Sequence, residues 1–135
     1  MHPGRWHHRG RPVVYMAESA AGALLEALVH IEAATPAELP RGYQLLEVGL
    51  PDDAAITTAS LPAGDGWRQD ITLTRRVGDE WLATGASLLL RVPSALVERT
   101  FNHLFNPAFA QARDCRIVSA GQWPFDSRLF PGRSR

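Results

Sequence analysis

Prolines and glycines cut this chain into short pieces, and that punctuation constrains its fold more than any other feature. The most apolar strand candidate, Ser87-Leu88-Leu89-Leu90-Arg91-Val92, is closed at once by Pro93. Gln44 to Leu50 (QLLEVGL) is closed by Pro51-Asp52, and Pro12 to Met16 (PVVYM) follows Gly10-Arg11. Proline removes a backbone donor and glycine relaxes φ, so both tend to end regular elements. Apolar and β-branched runs of this length read as strands. One substantial helical pattern stands apart. Ser19 can cap it, and it runs from about Ala20 to Ala33. Leu24, Leu25, Leu28, Val29 and Ile31 supply its apolar side, and Pro36 and Pro40 punctuate its exit.

From Asp52 to Asp70 the chain reads as loop, with Pro62 and Gly64-Asp65-Gly66 as turn signals. Ile71 to Arg75 reads as a short strand or helical turn, and Asp79 as the cap of a brief helix through Trp81 and Leu82. Asn102 to Pro107 reads as a turn, Arg116 to Val118 as a last short strand, and Phe125 to Phe130 as an irregular tail. Strands and helices do not alternate regularly. This order predicts an α+β fold rather than a doubly wound parallel sheet. The expected architecture is a compact single domain over 1–135, with short mixed strands and one main helix near the N-terminus.

A length of 135 residues suits one domain, and a 45% hydrophobic composition suffices for one core. The fourteen basic residues are all arginine and balance fourteen acidic ones, for a net charge of +0. That balance argues against a phosphate-tracking nucleic-acid surface but leaves room for a local anion site. The absence of lysine fits the codon bias of a GC-rich genome, although arginine's planar fork also suits phosphate and carboxylate. Cys115 is the single cysteine, which fits a reducing cytosol. No signal-peptide pattern opens the chain and no apolar run has the length of a membrane span. The expectation is a cytoplasmic protein without a membrane anchor.

Few residues carry an obvious chemical signature. Ser19, Gly22, Glu26, His30 and Ala33 share one helical stripe by spacings of three and four. That stripe is either a solvated outer face or a cleft wall on which Glu26 stabilises developing positive charge. His7, His8, Asp52 and Asp53 lack the spacing of a metal site. Cys115 lacks a nucleophile signature. Ser87 and Ser94 lack a nucleophile elbow. The glycines match neither a P-loop nor a dinucleotide fingerprint. Arg5, Arg9 and Arg11 cluster near Trp6 and Tyr15, which is either a solvated terminus or a place for a ligand with phosphate and a flat ring.

Several segments, read in order, resemble the RES domain family, named for Arg, Glu and Ser. They are Gly4-Arg5-Trp6-His7, then Gly10-Arg11-Pro12-Val13-Val14-Tyr15-Met16-Ala17-Glu18-Ser19, then Ala23-Leu24-Leu25-Glu26-Ala27-Leu28-Val29-His30. Pro51-Asp52-Asp53, Leu61-Pro62, Gly66-Trp67-Arg68 and Gly78-Asp79-Glu80-Trp81-Leu82 follow. The run from Ser87 to Ser94, Asn102-His103-Leu104-Phe105-Asn106-Pro107 and Phe125-Asp126-Ser127-Arg128-Leu129-Phe130 complete the match.

The resemblance implies a compact fold related to ADP-ribosyltransferase toxins, and a toxin of a bacterial toxin–antitoxin pair that consumes NAD. Its catalytic positions look like Arg5, Glu26 and Ser87. Arg5, Tyr15, His7 and Asn106 would bind NAD, a substrate rather than a prosthetic group, and no metal is implied. On this reading Arg5 pairs with the pyrophosphate and Tyr15 borders the nicotinamide. Glu26 stabilises the oxocarbenium-like transition state, and Ser87 bonds the substrate or orients Glu26. Hydrolysis, phosphorolysis and ADP-ribosyl transfer to a protein all fit the motif. A degenerate module that only binds a partner fits as well. The implied partner is an Xre-type helix-turn-helix antitoxin, with a homodimer possible inside that complex. The family pattern usually places a further strand-bearing segment before the Gly-Arg-Trp motif, whereas this chain starts four residues before Arg5. The expectation is therefore a domain lacking that first strand.

Overall fold

The computed structural model describes residues 3–30 and 43–129. In chain order the elements are β1 (Val14–Ala17), α1 (Ala20–Val29), β2 (Tyr43–Gly49), β3 (Ile56–Thr58), α2 (Ile71–Thr84), β4 (Leu89–Pro93), β5 (Phe101–Phe105) and β6 (Arg116–Trp123). They form two compact units, one from Met1–Glu18 and Pro51–Asp114, the other from Ser19–Leu50 and Cys115–Arg135. Helices and mixed sheets are both present, so the α+β expectation holds.

The first unit is built on a four-stranded sheet in the order β1-β5-β4-β3. Strand β5 runs antiparallel to β1 and β4, and β3 runs parallel to β4. The register aligns Tyr15, Leu104 and Leu90 in one row, and residues paired across strands share a face. Leu104 and Leu90 are buried on that row. Full burial of a leucine side chain is worth about 1.5–3 kcal/mol. Helix α2 buries Thr74, Gly78, Trp81 and Leu82. Their spacing places them on one helical face. Trp81 and Leu82 join Leu90, Val92 and Leu104 in a core that also takes in Trp6 and Trp67.

Several elements differ from the sequence expectation. Residues 71–84 form one helix of 14 residues, where a strand or turn and a brief second helix were expected. Its cap is Asp70, whose side chain accepts from the Leu73 amide at 3.0 Å, and not Asp79, which lies in the helix interior. Gly85 ends it in the left-handed region at φ 59°, which glycine adopts without strain. The fold therefore has a second substantial helix beside the one expected near the N-terminus. Most of Asn102 to Pro107 is strand rather than turn: β5 occupies Phe101–Phe105 and pairs on both sides, and the expected turn begins only at Asn106. The loop-rich stretch contains β3, and β6 extends to Trp123.

The second unit holds α1 and the antiparallel ribbon β2–β6, with a register shift between Glu47 and Val48. Ser19 caps α1 as expected, accepting from the Gly22 amide at 3.0 Å. The end of the expected helix (31–33), Pro36 and Pro40 lie outside the described residues, as does Phe130. Ala20, Ala23, Leu24 and Ala27 of α1 border a cavity of about 360 Å³ that Tyr43, Leu45 and Trp123 also line. Among the described residues no helix is long and apolar enough to cross a membrane.

Candidate active site

The backbone turns tightly at Gly4–His7, where the Gly4 amide donates to the His7 carbonyl at 3.1 Å. Helix α2 fastens this turn. Arg75 Nε donates to the Gly4 carbonyl at 2.9 Å, and Thr74 Oγ1 donates to the Arg5 carbonyl at 2.7 Å. The His8 amide donates to Asp79 Oδ1 at 2.9 Å, while His8 Nδ1 lies 2.5 Å from Asp79 Oδ2. Thr74, Arg75, Gly78 and Asp79 lie about one helical turn apart, so they reach one strip of neighbouring backbone. Gly78 makes the approach possible: a Cβ there would stand 1.6 Å from the Trp6 carbonyl oxygen. Burial pushes the Asp79 carboxyl up, but hydrogen bonds from the His8 ring and amide outweigh it and hold its pKa below the ordinary 3.8.

Strand β1 supplies the other support. The Tyr15 hydroxyl accepts the Trp6 amide at 3.0 Å and lies 2.7 Å from His7 Nδ1. Gly4 sits against the phenol, where a Cβ would come within 2.3 Å of the hydroxyl oxygen. Burial raises the phenol pKa above 10.0, against the lowering by the Trp6 amide and Arg75. The hydroxyl is tied inward while the residue as a whole stays 42% exposed. A tyrosine held this way can offer ring surface to a ligand.

At the apex, Arg5 Nη2 donates to the Arg68 carbonyl. The Arg5 and Arg68 guanidinium carbons each lie 5.7 Å from the centre of the Trp67 ring, and the Trp6 and Trp67 rings are 6.0 Å apart. Both cations are within the range in which a guanidinium is attracted to an indole face. The structure thus brings Arg5, His7 and Tyr15 together on one support.

The other expected site residues are placed differently. Ser87 is 2% exposed. Its oxygen accepts from Thr57 Oγ1 and Trp81 Nε1, and its own proton goes to the Leu89 carbonyl, each at 2.8 Å. A hydroxyl has one donor and two acceptor positions, so all of these are used inside the fold. Asn106 is buried where β5 ends, and its Oδ1 accepts from the Ala108 amide at 3.0 Å. Glu26 belongs to the second unit, half-buried in the middle of α1 and off the Ala-rich face that borders the cavity. Among the described residues no group of three His, Cys, Asp or Glu side chains gathers as a metal site.

Sequence reasoning missed the support: Thr74, Arg75, Gly78 and Asp79. The available signal was Gly78, since a glycine inside a helical pattern usually has a packing reason.

The RES domain family model matches residues 1–127. Toxin Res of Pseudomonas putida is 47% identical over 128 residues, covering 94% of this chain and 86% of that protein. Toxin Res of Yersinia enterocolitica is 35% identical over 130 residues, covering 93% and 83%. The Prs ADP-ribosylating toxin of Sphingobium sp. is 31% identical over 132 residues, covering 94% and 80%. Matches of this extent take in both units and the turn that carries Arg5, and they establish that the chain belongs to the RES domain family.

Proposed function

We propose that this chain is a toxin that consumes NAD by breaking the bond between nicotinamide and ribose. The observation that supports this reading is that one turn carries both groups: α2 braces the backbone of Arg5, and the partly exposed Tyr15 is tied by its hydroxyl to the neighbouring Trp6 amide. Arg5 binds the pyrophosphate through charge-assisted hydrogen bonds. Tyr15 borders the nicotinamide ring, with His7 fixing its hydroxyl. Glu26 takes its role from the family pattern: its carboxylate stabilises the cation that develops at the ribose. Ser87 serves by holding Trp81 and Thr57 in place rather than by touching substrate.

The electron pair of the broken bond leaves with nicotinamide, which departs neutral, so no strong general acid is required. Water adding to the ribosyl carbon, with loss of a proton to solvent, gives ADP-ribose. Phosphate adding there gives ADP-ribose-1″-phosphate. Transfer to a protein side chain is the second reading, favoured by similarity to a relative named as an ADP-ribosylating toxin. The partner that restrains the toxin is a cognate antitoxin of the Xre helix-turn-helix type.

Incubating the full chain with NAD and resolving the products tests these readings. Nicotinamide release with free ADP-ribose or its 1″-phosphate supports the first, and labelled protein supports the second. A folded sample that neither consumes NAD nor labels protein would leave only a partner-binding module. Glu26→Gln is expected to abolish turnover without changing the melting temperature. Full activity in that variant removes Glu26 from the mechanism.

A further inference from the structure

Arg68 is the neighbour of Arg5 that no role above employs. The Arg5 guanidinium reaches across to the Arg68 carbonyl, and the two guanidinium carbons are equidistant from the Trp67 ring, at 5.7 Å each. The first turn of contact therefore brings two cationic forks to one indole. Arg68 forms no ion pair with a carboxylate among the described residues, and its Nε is buried without a hydrogen-bond acceptor. Two other arginines of this unit do have acceptors: Arg91 pairs with Glu18 at 3.3 Å and Arg75 donates to the Gly4 carbonyl. A buried donor with no acceptor is costly to leave unmade, and fold after fold avoids it. An anion with several oxygens removes that cost by accepting from the fork.

We propose that Arg68 is a second anion-binding residue, and that Arg5 and Arg68 together take the diphosphate of a dinucleotide. Guanidinium groups suit this task because their coplanar donors match phosphate oxygens in pairs. Two forks suit a diphosphate better than a single phosphate, since each can serve one phosphorus. The Trp67 ring, 5.7 Å from each guanidinium carbon, helps to hold both forks. On binding, the Arg68 side chain turns so that Nε meets a phosphate oxygen. The assignment rests on the NAD-cleaving reading for its ligand, although the geometry of the arginine pair does not.

The test is calorimetric titration of the full chain with ADP, which carries the diphosphate but lacks the bond to be cleaved. Adenosine and inorganic phosphate serve as comparison ligands. ADP is expected to bind, and Arg68→Gln to weaken it by about tenfold or more, as expected for loss of a charge-assisted contact. Adenosine binding is expected to be the same in both proteins. Arg68→Lys keeps charge without the fork and is expected to fall between them. It also serves where the glutamine variant does not fold. ADP affinity within about twofold of wild type in a folded variant overturns the assignment, as does an equal loss for adenosine or no ADP binding by wild type. Inorganic phosphate whose binding is lost on Arg68→Gln, with ADP unaffected, overturns it in favour of a site for free phosphate. Arg68-dependent ADP binding without NAD turnover keeps the arginine pair and removes the cleavage reading; turnover that ignores Arg68 does the reverse.

Discussion

The carbonyl oxygen of Trp6 occupies the space that a Cβ on residue 78 would need, 1.6 Å from its ideal position. Gly78 is therefore the contact point between α2 and the turn that carries Arg5. Helix propensity alone would favour Gly78→Ala by about 1 kcal/mol. Overpacking at a site this tight costs about 1–3 kcal/mol or more, and should win. The variant is expected to melt lower and to lose hydrogen-exchange protection at the Gly4 and His8 amides. A higher melting temperature with those amides still protected would show that the turn does not depend on this contact.

Tyr15→Phe keeps the ring and removes the hydroxyl that accepts the Trp6 amide and meets His7. Leaving that amide without an acceptor costs about 1–3 kcal/mol. Because the ring remains, the loss in NAD turnover should appear mainly as a raised KM, through loosening of the turn beneath Arg5. Steady-state kinetics alongside a thermal melt checks this. A fall in kcat with KM unchanged would assign the hydroxyl to the chemical step.

Ser87→Ala leaves buried Trp81 Nε1 without its acceptor at 2.8 Å. The expected result is destabilisation of about 1–3 kcal/mol in a denaturant titration, with kcat/KM preserved well below the melting temperature. Lost turnover at unchanged stability would instead mean that the hydroxyl leaves the Leu89 carbonyl and meets substrate.

His103 gives the fold an acid sensitivity. Burial lowers its pKa below 6.5, and Arg91 acts the same way, while Glu18, with Oε1 3.9 Å from Nδ1, opposes both. As pH falls past 6.5 the unfolded chain takes up the proton first, so stability falls until the folded imidazole is protonated too. The melting temperature should therefore drop over that window, and His103→Gln should flatten the drop. An identical slope in the variant would place the sensitivity elsewhere.

The α+β class, the strand around Leu89 and Leu90, and Ser19 as a cap were legible because each follows from residues close in sequence. Arg5 and Tyr15 were legible as candidates through the family pattern. Helix α2 was obscured because its buried stripe includes Thr74 and Gly78 among arginines and acids, which weakens the apolar period. Strand β5 was obscured by Asn102 inside it and by Asn106-Pro107 just beyond it; the turn preference of Asn102 yields once strands pair on both sides, while the turn at Asn106 stays.

The partners of the polar side chains belong to a longer range of interaction. Asp79 looks like a helix cap in its local context, yet it binds His8 across 71 positions of chain. Ser87 looks like a free hydroxyl in its local context, yet Thr57 and Trp81 fill its acceptor positions. Local propensity works over a few residues and sets where elements begin and end. Which hydrogen-bonding groups remain open to a ligand depends on which partners packing delivers, and those partners come from distant segments.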